Sequence, residues 1–207
     1  MNLKNIVKEA CVESFREAKH MVMGGADRIE LCENLAVGGT TPSYGTIKEC
    51  LRKLSVPTLV MIRPRGGNFV YSEEEINIMK NDILLCKDLG VKGIVLGVLT
   101  EENEIDRALL KSLIDWAKPM EITFHKAIDE VSDPLASLDI LMELGVTRVL
   151  TSGKAPTAME GMELLKEMIA RAGDRITIVV AGKVTSENLH DIHHLIGNNE
   201  YHGKKIV

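Results

Sequence analysis

The segment Gly24-Gly25-Ala26-Asp27-Arg28-Ile29-Glu30-Leu31-Cys32 indicates the fold most clearly. After two glycines it alternates aliphatic with polar side chains, which is the period of a β-strand. The aliphatic side chains share one face, which predicts a layer of helices outside the sheet. The opposite face carries Arg28, Glu30 and Cys32, and charged groups cannot lie in apolar packing without partners. The interior of a closed barrel would bring other polar groups to them.

Similar runs recur along the whole chain. Short β-rich runs alternate with longer helical ones and begin near Ile6, Asp27, Pro57, Lys92, Met120, Thr147, Arg175 and Asn199. Their mean spacing is about 28 residues, the size of a βα unit. Eight such units predict one α/β domain over residues 1–207, a TIM-type (β/α)8 parallel barrel. An open doubly wound sheet is the alternative, but no Gly-x-Gly-x-x-Gly turn follows the first strand.

Capping residues and glycines mark the helices between the strands. The predicted helices run from Ser14 to Met23, Ser72 to Gly90, Asp133-Pro134 to Gly145, Pro156 to Gly173 and Thr185 to Gly197. After the eighth strand only residues 203–207 remain, too few for the last helix of a complete barrel. Apolar surface on the outer face of strand eight would then stay uncovered. We therefore expect a homo-oligomer, or local disorder near Asn198 to Val207.

Composition excludes several classes of protein. Of 207 residues 45% are hydrophobic and 27% charged, and the net charge is −5, with basic residues neither in excess nor clustered. Nucleic-acid binding is not expected. No apolar run approaches the length of about 18 residues that spans a bilayer, and Met1 to Asn5 do not resemble the start of a signal peptide. Four scattered cysteines indicate a reduced, cytoplasmic protein.

Polar residues on the inward faces of the strands are the candidates for catalysis. A barrel interior is normally filled by Val, Ile and Leu. The alternation here instead predicts buried charges at strand ends: Glu9, Arg28, Glu30, Arg63, His125 and His202, with Cys11 and Cys32 at the rim. In an active site Glu9, Glu30, His125 or His202 would act as acid or base, and Arg63 would hold an anion. A structural Glu–Arg network that fills the barrel is the alternative.

Three loops at the same end of the barrel carry groups that suit an anion. The loop after strand three contains Arg63, Arg65, Gly66 and Gly67, and strands six and seven end in Ser152-Gly153 and Gly182-Lys183. Arginines give bidentate donors and glycines allow close backbone approach. We also expect Arg63 to pair partly with Glu9 and Glu30. The arginine loop could equally be a tight structural loop, and an exposed polar face explains His190, His193 and His194 better than a metal does.

Several blocks are specific enough to point to a family. They are Glu9 to Ser14, Gly24 to Cys32, Gly38 to Ser43, Val60 to Gly67, Thr123 to Ala127 and Val149 to Gly153. Together they resemble the CutC family, named for copper homeostasis. The resemblance implies a cytoplasmic β/α barrel, often oligomeric, linked to copper handling. It also implies copper(I) binding by the cysteines of the first two strands, here Cys11 and Cys32, and it indicates no organic cofactor.

The chain departs from the family pattern at three places. The turn after strand seven reads Ala181-Gly182-Lys183-Val184, where the family has a Gly-Gly-Gly-Ile type of turn. Lys126 replaces the usual arginine after His125, and the segment beyond the His-Gly of strand eight is almost wholly absent. Lys183 could replace lost backbone contacts to a phosphate with charge.

Three functions remain open at this point. Two strand-end thiolates suit soft copper(I), and Arg28 or Arg63 nearby would favour the thiolate form. The second possibility is an enzyme that acts on a small anionic or phosphorylated substrate. The third is a non-catalytic scaffold.

Overall fold

The protein forms a closed barrel of eight parallel strands in which the last strand pairs with the first. The computed structural model describes residues 6–207. The expectation about a signal peptide concerns Met1 to Asn5 and lies outside the described residues. The strands are β1 Val7–Val12, β2 Arg28–Leu31, β3 Thr58–Met61, β4 Gly93–Leu96, β5 Glu121–Phe124, β6 Arg148–Thr151, β7 Thr177–Val180 and β8 Glu200–Gly203. The predicted fold class is confirmed, and each strand begins within two residues of its expected start.

Seven helices pack around the described barrel. They are α1 Phe15–Met23, α2 Tyr44–Lys53, α3 Glu73–Asp88, α4 Arg107–Ala117, α5 Pro134–Leu144, α6 Met162–Ala172 and α7 Leu189–Ile196. The predicted caps Ser14, Ser72 and Asp133 each accept a hydrogen bond from the first turn of their helix. Helices α6 and α7 begin later than Pro156 and Thr185, where they were expected. Within residues 6–207 no helix has the length and hydropathy of a membrane span.

The end of the chain packs against the barrel. As expected, no helix follows β8 in the described range. The outer face of β8 is nevertheless covered, because Tyr201 is fully buried and its hydroxyl lies 3.1 Å from Nδ1 of His193 on α7. Ile206 is also buried, and Lys205 forms a parallel bridge with Thr185. The expectations of an uncovered strand face and of local disorder at this terminus were therefore wrong.

The two faces of the strands enter different environments, as the alternation predicts. Outward side chains join the core under the helices, among them Ile29, Leu31, Val60, Ile62, Ile122 and Phe124. Inward side chains of the first four strands form a separate small cluster: Cys11, Cys32, Leu59, Met61 and Val95. Leu150, Val179 and Ala181 form another small apolar cluster on β6 and at the end of β7. The interior also holds buried polar and charged side chains: Glu9, Arg28, Glu30, Arg63, His125 and Arg148. The fold thus concentrates polar chemistry inside the barrel.

Candidate functional site

Two thiols meet at the C-terminal ends of β1 and β2, which we call the mouth of the barrel. The parallel register places Cys11 beside Glu30, two residues before Cys32. The Sγ atoms of Cys11 and Cys32 are 3.9 Å apart, and the Cys32 thiol lies 3.6 Å from Oε2 of Glu30. One donor atom from each of the three residues lies within 4.8 Å of the others. Two soft sulfurs and one carboxylate therefore share a space the size of a metal site.

Both thiols hold their protons in the metal-free protein. The hydrogen bond with Cys32, together with burial, raises the pKa of Cys11 well above its ordinary value. For Cys32 the bond with Cys11 lowers the pKa, but burial and the charge of Glu30 outweigh it and raise the value to about 11. The expectation that a nearby arginine favours the thiolate was wrong. Arg28 is paired with Glu9 and Glu200 instead.

A network of buried charges runs along the strands next to the thiols. Nε of Arg28 donates to Oε2 of Glu9 at 2.5 Å, and the same guanidinium bonds Glu200. Nδ1 of His202 lies 2.8 Å from Oε1 of Glu9, and its Nε2 lies 3.6 Å from Oε2 of Glu30. The predicted residues Glu9, Glu30 and His202 are therefore together, joined across β1, β2 and β8.

The network sets the charge on each of its members. Burial alone would raise the pKa of Glu9, but His202 and Arg28 outweigh it and lower the value to about 2. Burial likewise opposes charge on His202, yet the neighbouring Glu30, Cys11 and Glu9 raise its pKa well above the ordinary range. Burial raises the pKa of Glu30. At neutral pH the network thus contains carboxylate Glu9 beside a protonated His202.

His125 lies in a different environment from His202. Its Nδ1 accepts the amide N–H of Ala127 at 3.2 Å and so caps the 3₁₀ helix Lys126–Asp129. The ring proton must then be on Nε2, which has no partner in the described structure. Burial and the charge of Arg63 lower the pKa of His125 to about 3, so the ring is neutral. His125 is a fixed N–H donor rather than a base of ordinary strength.

Arg63 is held by neutral groups. Its guanidinium donates to the carbonyl oxygens of Val37, Gly39 and Gly67 at 2.7 to 3.1 Å, and it lies over the Phe69 ring. The expected pairing with Glu9 and Glu30 was wrong, since within residues 6–207 Arg63 forms no ion pair. The loop after Arg63 contains Gly66 and Gly67. It packs so tightly that a Cβ on Gly66 would lie 2.7 Å from Val37.

The other groups predicted to bind an anion have partners within the protein. Arg65 pairs with Glu75. At the end of β6 the carboxylate of Asp129 accepts hydrogen bonds from Thr151, Ser152 and Lys154, four bonds of 2.5 to 3.1 Å. The amide of Gly153 donates to Oγ1 of Thr151, and Gly182 packs tightly against Ser152 and Ala158 while Lys183 remains exposed. The backbone N–H groups of Ser152 and Lys154 therefore already have an acceptor within the protein.

Comparison with known proteins shows which family the chain belongs to. The family model for the CutC family matches residues 6–207. The chain belongs to the CutC family. It is 47% identical to the human copper homeostasis protein cutC homolog over 194 residues, which is 94% of this chain and 71% of the relative. It is 45% identical to a CutC family protein of Enterococcus faecalis, covering 98% of this chain and all of the relative.

Solved structures agree with this assignment. CutC from Streptococcus agalactiae superposes with a TM-score of 0.94 at 40% identity, covering 98% of this chain and all of that one. QR15, an aldolase, superposes with a TM-score of 0.69 at 13% identity, covering 97% and 90% of the two chains. The similarity to the aldolase shows only that the two proteins share the barrel fold. The CutC family and the TIM-type barrel are therefore established for this chain.

Sequence reasoning missed two functional features of this CutC chain. Asp129 follows strand five in a short turn with no recognisable motif, and only the tertiary fold brings it to the end of β6. Glu200 on β8 was not among the predicted site residues, and its bond to Arg28 was not expected. One signal could have pointed to Glu200. A buried guanidinium has five N–H groups that need acceptors, so Arg28 requires more than one partner.

Proposed function

We propose that this protein binds copper(I) between Cys11 and Cys32 and serves copper homeostasis in the reducing cytoplasm. The observation that carries the proposal is the Sγ–Sγ distance of 3.9 Å. A zinc–thiolate bond is about 2.3 Å long, so two sulfurs 3.9 Å apart can both bind one ion of similar size, at a bent sulfur–ion–sulfur angle of about 116°. Thiolate ligands select soft copper(I) over hard cations.

The surroundings of the thiols support this chemistry. The described cysteines are all free thiols, as copper(I) binding requires. Met61 lies in the same buried cluster and adds a second kind of soft sulfur beside the pair. Cys11 also lines a cavity that opens at the mouth, which gives an ion a route to the site. Protonated His202 and Arg28 offset the negative charge that two thiolates would bring.

A titration tests the proposal. Reduced protein is titrated with copper(I) against a competing chelator, and the wild type is compared with the double variant Cys11→Ala, Cys32→Ala. The matched control is Cys50→Ala, Cys86→Ala, which removes two buried thiols on α2 and α3. We expect one tightly bound ion per chain in the wild type and in the control, and none in the site variant. Equal affinity in all three proteins would overturn the proposal.

A further inference from the structure

A cavity of about 460 Å³ opens at the mouth of the barrel next to the thiol pair. Its volume lies in the range of about 300 to 1,000 Å³ that is usual for small-molecule sites. Several predicted site residues line it together: Glu30, Arg63, His125 and His202. Copper(I) between two thiols would leave most of this space free.

Three residues that line the cavity carry a buried polar atom without a partner. These atoms are Oε1 of Glu30, Nε of Arg63 and Nε2 of His125, and the residues are 2%, 5% and 4% exposed. Buried polar groups in native proteins are nearly always hydrogen-bonded, so each exception calls for an explanation. Three of the six such atoms in the described structure belong to residues that line this one cavity. This coincidence points to a ligand.

The unpartnered atoms define what the ligand must offer. Arg63 has no carboxylate partner within residues 6–207, so its charge favours an anion. The N–H at Nε2 of His125 requires an acceptor oxygen, and Oε1 of Glu30 accepts a hydrogen bond from a hydroxyl. Together they match an anion that also carries hydroxyl groups.

An adjoining cavity strengthens the preference for negative charge. It measures about 570 Å³, shares Lys126, His202 and Lys204 with the first, and adds Lys183 and Lys205. No acidic side chain of the described residues lines it. The backbone N–H groups of Ser152 and Lys154 at the end of β6, which could add to the binding of a phosphate group, already donate to Asp129. This favours a carboxylate over a phosphate.

We propose that the mouth of the barrel binds a small hydroxylated carboxylate, with its carboxylate beside Arg63 and a hydroxyl between His125 and Glu30. This proposal does not rest on copper(I) binding, although Cys11 borders both sites and Glu30 contacts the thiol pair.

Calorimetry and thermal shifts of reduced, metal-free protein test the ligand class. The probes are malate, threonate and gluconate, with hexanoate as the acid that lacks hydroxyls and sorbitol as the polyol that lacks charge. We expect at least one hydroxy acid to bind and raise Tm, and both controls to bind at least tenfold more weakly. Glucose 6-phosphate serves as the phosphorylated competitor of these acids. If no hydroxy acid binds, or if glucose 6-phosphate binds more tightly than every hydroxy acid, the assignment is wrong.

Variants locate the site. His125→Asn keeps an acceptor for the Ala127 amide but removes the N–H at Nε2, and Lys204→Glu reverses a charge on the exposed rim. Each should weaken hydroxy-acid binding at least tenfold, whereas Lys19→Glu on α1 makes the same change in net charge and should leave it unchanged. His125→Asn and Lys204→Glu should both bind copper(I) like the wild type in the chelator titration, because neither residue belongs to the thiol–carboxylate cluster, and this separates the proposal from the copper site. Wild-type affinity for the acid in both His125→Asn and Lys204→Glu would overturn the proposal.

Discussion

Glu9 is the residue on which the charged interior depends. It is 1% exposed and holds two cations at once, Arg28 through Oε2 and His202 through Oε1. A buried charge is tolerated only while its partners satisfy it, and removal of one partner costs about 3–5 kcal/mol because the other charge remains. Glu9 therefore stabilises the barrel whether or not it takes part in chemistry.

Glu9→Gln should lower the free energy of unfolding at pH 7 by about 3–5 kcal/mol, measured by urea denaturation. The folded-state pKa of Glu9 is about 2, below its ordinary 4.5. The carboxylate thus contributes stability that is fully present above 4.5 and is lost as the pH falls toward 2. The deficit of the variant should shrink across that range. Glu143→Gln, which breaks the exposed pair with Arg107, is the control and should cost less than about 1 kcal/mol. A deficit at pH 3 equal to that at pH 7 would contradict this role.

The thiol pair predicts how copper(I) affinity varies with pH. Because burial and neighbouring groups hold the pKa of Cys32 at about 11 and that of Cys11 above its ordinary value, an incoming ion must displace protons. Affinity should rise with pH from 6 to 9, about tenfold per pH unit for each displaced proton. Chelator competition at several pH values, corrected for the chelator's own protonation, measures the slope. A flat profile would mean that the thiols do not ligate the ion.

Among the elements, the short helix Lys126–Asp129 does most to shape the mouth. His125 caps its start, and Asp129 at its end closes the loop after β6 through four hydrogen bonds. Bonds to a charged acceptor contribute more than neutral ones. This short helix thus fixes His125 at its start. At its end Asp129 occupies backbone N–H donors that could otherwise bind an anion.

Asp129→Ala should destabilise the protein by about 3 kcal/mol, because the amides of Ser152 and Lys154 lose their acceptor. The vacated donors should then bind inorganic phosphate, so phosphate should raise Tm of the variant more than that of the wild type. Asp115→Ala, an exposed acid on α4, is the control and should show neither effect. Equal phosphate shifts in Asp129→Ala and the wild type would show that the carboxylate does not occupy an anion site.

The strand elements were predictable because their alternation has a short period. Ile29 and Leu31 face the helices and Arg28 and Glu30 face inward, as expected. The start of α6 was not predictable, because the segment before it is held by tertiary contacts such as the bond from the Ala158 amide to the Gly182 carbonyl. The partners of Arg63 were unpredictable for the same reason. Alternation predicts which face a side chain occupies, but the carbonyl oxygens that bind the Arg63 guanidinium come from loops that only the folded protein brings together.

At the scale of the whole molecule, α7 and α1 flank β8, and no helix lies between them within the described residues. Each carries an exposed apolar side chain, Leu195 at 40% and Met23 at 77% exposure. The last residues of the chain cover the strand here, but these two exposed side chains lie on the helices beside it. We propose a homo-oligomer formed at this side of the barrel.

Light scattering should therefore give a mass above that of one chain. Leu195→Glu should shift the protein toward the monomer, because a charge would be buried at the interface. Leu84→Glu on α3, a side chain of nearly equal exposure at 39%, should not. A monomeric wild type at micromolar concentration would contradict the proposal.

We propose above all that two thiols at the barrel mouth share one copper(I). X-ray absorption spectroscopy of the copper-loaded, reduced protein tests it most directly, since it identifies the atoms bound to the ion. We expect two sulfur ligands in the wild type and in Cys50→Ala, Cys86→Ala, and loss of both in Cys11→Ala, Cys32→Ala. A wild-type spectrum dominated by nitrogen or oxygen ligands, or one unchanged in the Cys11, Cys32 variant, would contradict it.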